Sequence, residues 1–186
     1  HTTPFPTRLA PTALAGLTVH DEPKGSRAYE AGAQDPSVIV STGRVLSLSR
    51  DGLVQAALEV AQLKATYASN DPAVVTAISK SIGDVHRLTS EGDHQLFVAD
   101  DGSQRIYLWF PTRSAMALLV VRSQIPLGAA ELLARNLIRY GDGGEIESAA
   151  LTAAFATSPA ATQSAATSTN APTPGTPSVP TPTRTP

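Results

Sequence analysis

The chain has 186 residues, 41% of them hydrophobic, a formal net charge of -2 and no cysteine. That length predicts one domain with at most an appendage, and the apolar fraction is enough for a core. Disulfides, thiolate metal sites and a cysteine nucleophile are excluded. Nucleic acid is not an expected partner without a basic surplus to meet phosphates, and no apolar run reaches the ~18 residues of a transmembrane span.

Residues 1–11 form an extended polar lead carrying Pro4, Pro6 and Pro11. Opening on His1 rather than Met fits a removed leader or an excised piece. The expected domain occupies 12–140. Residues 14–19 are a short apolar opening, and 26–33 read as a weak helix closed by Asp35-Pro36. Residues 37–48 mix Val, Ile and Leu and predict strand, with Gly43 at a bend or bulge. Arg50-Asp51-Gly52 is a hairpin-type turn.

Residues 53–67 pull two ways. Their Ala, Leu, Gln, Glu and Lys content favours helix, yet Val54, Ala56, Leu58 and Val60 alternate with Gln55, Ala57 and Glu59, as in a half-buried strand. The elements that follow favour the strand. Asn70-Asp71-Pro72 starts a helix. Val74, Val75, Ile78 and Ile82 continue it at helical spacing, and Gly83 stops it. Residues 84–94 read as a polar connection between helix and strand.

Residues 95–99 and 105–110 are strands around the turn Asp100-Asp101-Gly102-Ser103. Residues 115–122 are apolar on both faces, which predicts a central strand. In 126–140, Leu127, Ala130, Leu133, Leu137 and Tyr140 share one side of an amphipathic helix flanked by Arg135 and Arg139. Gly141-Asp142-Gly143-Gly144 is a turn, and 141–155 is a linker or a short Ala-rich helix.

Residues 156–186 are almost wholly Pro, Thr, Ala and Ser, with one charge, Arg184. Such a composition cannot offset the entropy of ordering and predicts a disordered, polyproline-like tail. Outside a cell it would serve as an O-glycosylated stalk or a bare spacer. The fold class is α+β, a mainly antiparallel sheet with two or three helices packed on it.

Residues 14–19 (Leu-Ala-Gly-Leu-Thr-Val), Asp35-Pro36, Gly43-Arg44-Val45, Ile82-Gly83-Asp84 and the strand–helix pair over 115–140 stand in an order that resembles a group of bacterial cell-envelope lipoproteins. Those proteins join a small α+β domain to Pro/Thr-rich low-complexity segments. The resemblance covers 8–140. It implies an extracytoplasmic place and this fold, and it carries no assigned activity. The lipidated cysteine of that group has no counterpart here.

No motif assigns catalysis. There is no Gly-x-Ser-x-Gly elbow, no spacing that suggests a Ser-His-Asp triad, and no Gly-x-Gly-x-x-Gly or phosphate loop. His86 and His94, with Asp84, Glu91 and Asp93 nearby, have the chemistry of a metal site. Their spacing lacks the tight ligand pairs of structural zinc, and a solvated connection accounts for them. His20-Asp21-Glu22 is discounted on the same ground. Asp100 to Ser103 lacks the alternating ligands and distant Glu of a calcium loop.

Tyr107 and Trp109 share one face of a strand. They are either an aromatic binding surface or core, and large aromatics more often supply core area. The expectation is therefore a chain with no catalytic residue, metal or cofactor. It would act as an extracytoplasmic binding or scaffolding module for an envelope protein, a glycan or another copy of itself. A structural subunit of an extracellular or membrane-associated assembly, its tail held by neighbours, is the alternative, followed by a hydrolase using carboxylates or a His-bound metal.

Overall fold

The computed structural model describes residues 6, 8–31 and 35–156. Of the tail expected over 156–186, Ala156 is the last residue of a helix and 157–186 lie outside the described residues, as do residues 1–5 and 7 of the lead. Among the described residues the strands are β1 (Ala13–Leu14), β2 (Leu17–Asp21), β3 (Ile39–Arg50), β4 (Leu53–Leu63), β5 (His86–Glu91), β6 (His94–Asp100), β7 (Gln104–Thr112) and β8 (Ala115–Arg122). They make one antiparallel sheet in the order β1-β2-β3-β4-β8-β7-β6-β5. Among the described residues four α-helices accompany it: α1 (Arg27–Glu30), α2 (Asp71–Ile82), α3 (Leu127–Gly141) and α4 (Ser148–Ala156).

The centre of the sheet is β4 paired with β8, from Ala56 opposite Val121 to Gln62 opposite Ala115. On one face Leu58, Val60, Trp109, Ala117 and Leu119 pack against Ala130, Leu133 and Leu137 of α3, with Leu151 and Phe155 of α4. On the other face Leu63, Phe97, Leu108 and Met116 meet Val74 and Ile78 of α2. The α+β reading and the central place of 115–122 follow from this two-sided burial.

Local chemistry explains the connections. Asp51 and Gly52 both have positive φ (53° and 77°) and join β3 to β4 by a two-residue turn. The register of β3 slips between Thr42 and Arg44, which places a bulge at Gly43. The Asn70 side chain accepts from the Ala73 N–H, and Gly83 ends α2 at φ 95°. Residues 53–63 are strand, and 65–67 are a single 3-10 turn. Helix propensity in that stretch yields to pairing on both sides.

Three expectations change. Residues 84–94 are not a plain connection but the β5–β6 hairpin, turning at Gly92 with φ 57°. Residues 14–19 hold a hairpin, with Ala15 and Gly16 both at positive φ. The helix expected over 26–33 is described only as α1, four residues capped by the Ser26 hydroxyl.

The packed body also takes in both flanks. Leu9 is buried at one end, and Leu151 and Phe155 at the other. Asn136 of α3 is buried and accepts the Glu147 N–H at 2.7 Å, which holds the chain where it enters α4. Phe155→Ala is expected to cost about 3–5 kcal/mol in chemical denaturation of the full chain. A loss below about 1 kcal/mol would mean that α4 adds nothing to the core.

Candidate functional site

Glu91 ends β5 and turns toward α3. Its carboxylate accepts from Arg135 Nε at 3.0 Å and from Arg139 Nη2 at 2.8 Å. Burial pushes this carboxyl up, but the hydrogen bonds and charges of Arg139 and Arg135 outweigh it and hold the group below its ordinary value of 4.5. Arg139 also reaches Glu147 at 3.2 Å, and its guanidinium is raised, first by the Glu91 hydrogen bond.

His94 lies directly across from Glu91 in the hairpin. Its Nδ1 sits 3.0 Å from the Phe110 carbonyl oxygen and its Nε2 sits 2.9 Å from Asp142 Oδ1. Asp71, at the start of α2, is raised by burial, and the charge of His94 partly offsets this. His86 is at the opposite end of β5, opposite Val98, and is exposed, as is Asp84. The metal candidates are thus divided between two ends of a hairpin, with Glu91, Asp93 and His94 at the turn and Asp84 and His86 at the other end. Among the described residues no three His, Asp or Glu side chains are grouped to hold a metal ion.

Tyr107 and Trp109, the candidate binding surface, are 1% and 4% exposed and belong to the core beneath α3. Burial raises the Tyr107 hydroxyl, and Arg105 opposes that. Arg105 precedes them on the same face, with its side chain only 6% exposed. It donates to the carbonyls of Ser123 and Ile125 and so fastens the chain between β8 and α3. Hydropathy alone could not find a buried arginine on an apolar strand.

Two adjoining concavities lie on the second sheet face, where α2 covers only part of the strands. A cleft of about 170 Å³ has Glu59, Ile106, Leu118 and Val120 as its floor, with Ile39 on one side and Ile78 and Ile82 on the other. A wider hollow of about 430 Å³ adjoins it between α1 and the start of β3, lined by Lys24, Tyr29, Glu30 and Val40 among others. Asp35 and Ile39 belong to both.

Asp35 accepts from the Ser37 N–H and hydroxyl and from Ser81 Oγ at 2.9 Å. The Ser37 hydroxyl bond is foremost in holding its carboxyl below 3.8, against a smaller effect of burial. Tyr29 donates to the Thr42 carbonyl at 2.7 Å and pins α1 beside the hollow. The Asp-Pro-Ser sequence signals an Asx turn, but not the open sheet face beside it. A third space, about 30 Å³ under Leu9, Trp109 and Leu137, has room for no more than a water or two.

No family model matches this chain, and no curated protein or solved structure matches it. The site therefore rests on geometry. Because Glu91 is lowered in the folded state, its contribution is present above its ordinary carboxyl range and is lost as pH falls through and below it. Glu91→Gln is expected to cost about 1–3 kcal/mol at pH 7 and to flatten the loss of stability below pH 4.5. Denaturant melts from pH 7 to pH 3 read both effects, and an unchanged acid limb would remove Glu91 as its source.

Proposed function

We propose that this domain is a non-catalytic binding or scaffolding module of the cell envelope, working outside the cytoplasm on a Pro/Thr-rich spacer, with the half-covered sheet face as its binding surface. The observation that carries the reading is the cleft between β3 and α2. Three of its four floor residues, Ile106, Leu118 and Val120, are apolar beside Glu59, while the residues with the chemistry for catalysis, Glu91 and His94, are engaged in joining β5 and β6 to α3. The composition of 156–186 and the resemblance to envelope lipoproteins support the location.

A floor of Ile106, Leu118 and Val120 suits apolar side chains better than sugar hydroxyls. The favoured partner is therefore a protein segment from the envelope. A hydrolase based on His86, His94, Asp84 and Glu91 has less support, because the hairpin separates them.

A photo-crosslinking residue placed at Val120 in the full chain, inside the producing cells, is expected to give a discrete protein adduct. The same residue at Leu127, exposed at the start of α3, is expected to give none. An adduct of twice the chain's mass would redirect the reading to a self-assembling structural subunit. A glycan adduct, equal labelling from both positions, or no adduct would overturn it.

A further inference from the structure

A carboxylate stands in the middle of the second sheet face. Residues of β4 alternate between faces. Leu58 and Val60 belong to the core under α3, so Glu59 falls on the side of α2. It lies across from Val45 on β3 and Leu118 on β8. Its neighbours on that face are Ala57 and Ala61, whose short side chains leave room beside it.

The cleft over Glu59 is small and apolar. Ile39, Ile78, Ile82, Ile106, Leu118 and Val120 supply most of its lining, and its volume is about 170 Å³. A cavity of ~150 Å³ lined by such side chains takes up a benzene ring. The space thus suits one side chain of leucine or phenylalanine size. It is too small for a whole helix, whose diameter with side chains is about 10–12 Å.

The charge around this space has one sign. Among the described residues the charged groups lining the cleft are Asp35 and Glu59. In the adjoining hollow Glu30 and Asp35 stand against Lys24. Asp35 accepts from Ser37 and Ser81 and feels the charge of Lys64, and these keep it ionised. An apolar group that enters without a cation removes water from these carboxylates and returns nothing. A cation beside it offsets that cost, and an acidic neighbour adds repulsion.

We infer that the cleft takes a protein segment carrying one leucine- or phenylalanine-sized side chain next to a lysine or arginine. The apolar side chain fills the space between α2 and Ile39, and the cation meets the Glu59 and Asp35 carboxylates. The inference rests on the sheet face being the binding surface and adds the chemistry of the partner.

The probe is acetyl-Lys-Leu-Lys-amide, added to the full nitrogen-15-labelled chain at low ionic strength. Amide shifts are expected at Ile106, Leu118 and Val120. Acetyl-Lys-Ser-Lys-amide is expected to bind at least about tenfold more weakly, because the apolar anchor is gone. Acetyl-Glu-Leu-Glu-amide is expected to bind about tenfold more weakly too, and about 0.5 M salt is expected to close most of that gap. Glu59→Gln is expected to weaken the lysine peptide about two- to fivefold. It is also expected to strengthen the glutamate peptide, which a loss of fold would not do.

Equal binding of the lysine and glutamate peptides in the wild type would overturn the inference, with no variant needed. So would shifts confined to another surface, no shift at about 10 mM peptide, or an unchanged gap in E59Q. If Val120 still crosslinks a protein in cells, those results remove the stated chemistry and leave the binding surface standing. Absence of that adduct would remove both.

Discussion

Strand β8 must be dry on both sides, and this demand organises the molecule. Its residues Ala115 to Leu119 and Val121 are buried, with Ala117, Leu119 and Val121 toward α3 and Met116 and Leu118 toward α2. Each fully buried Leu or Met side chain is worth about 1.5–3 kcal/mol relative to exposure. The gain exists only if both faces are covered. A single helical layer would leave Met116 and Leu118 wet, so the chain sends α2 to one face and α3 with α4 to the other. Antiparallel pairing with β4 and β7 then satisfies the backbone of β8 on both edges.

The polar residues make sense against that frame. A six-residue edge strand such as β5 has one large apolar side chain, Leu88, and that one is exposed. Packing holds it weakly, so its attachment depends on pairing with β6 and on Glu91 reaching Arg135 and Arg139. His94 and Asn136 extend the same fastening to the α3–α4 corner, through Asp142 and the Glu147 amide. Charged groups next to the edge also discourage pairing with a second sheet. The groups that read as metal ligands by type thus act as ties between elements, and the open concave surface falls where α2 ends its cover of the sheet.

Legibility in the sequence followed the strength of local signals. The β6–β7 hairpin, α2 with its Asn70 cap and Gly83 stop, the turn at Asp51-Gly52, and α3 each have an unambiguous pattern or terminator, and each stands where it was expected. Strand β5 escaped because His86-Arg87-Leu88-Thr89-Ser90-Glu91 has no apolar alternation to detect. Residues 53–63 were ambiguous because their composition and their periodicity disagree, and neighbouring strands decided between them. The second sheet face was invisible for a different reason: its cleft is assembled from β3, β4, β7, β8 and α2, and no single segment announces it. Arg105 and the double-acceptor setting of His94 likewise exist only once distant carbonyls are brought together.

Native-state hydrogen exchange on the full chain tests the central claim, that two-sided burial of β8 sets the fold. The account predicts that amides of β8 and of the central part of β4 exchange most slowly, through global unfolding, while those of β1, β2 and β5 open at lower cost. Exchange of β8 amides as fast as those of β5, with the slowest protection instead at an edge of the sheet, would contradict it.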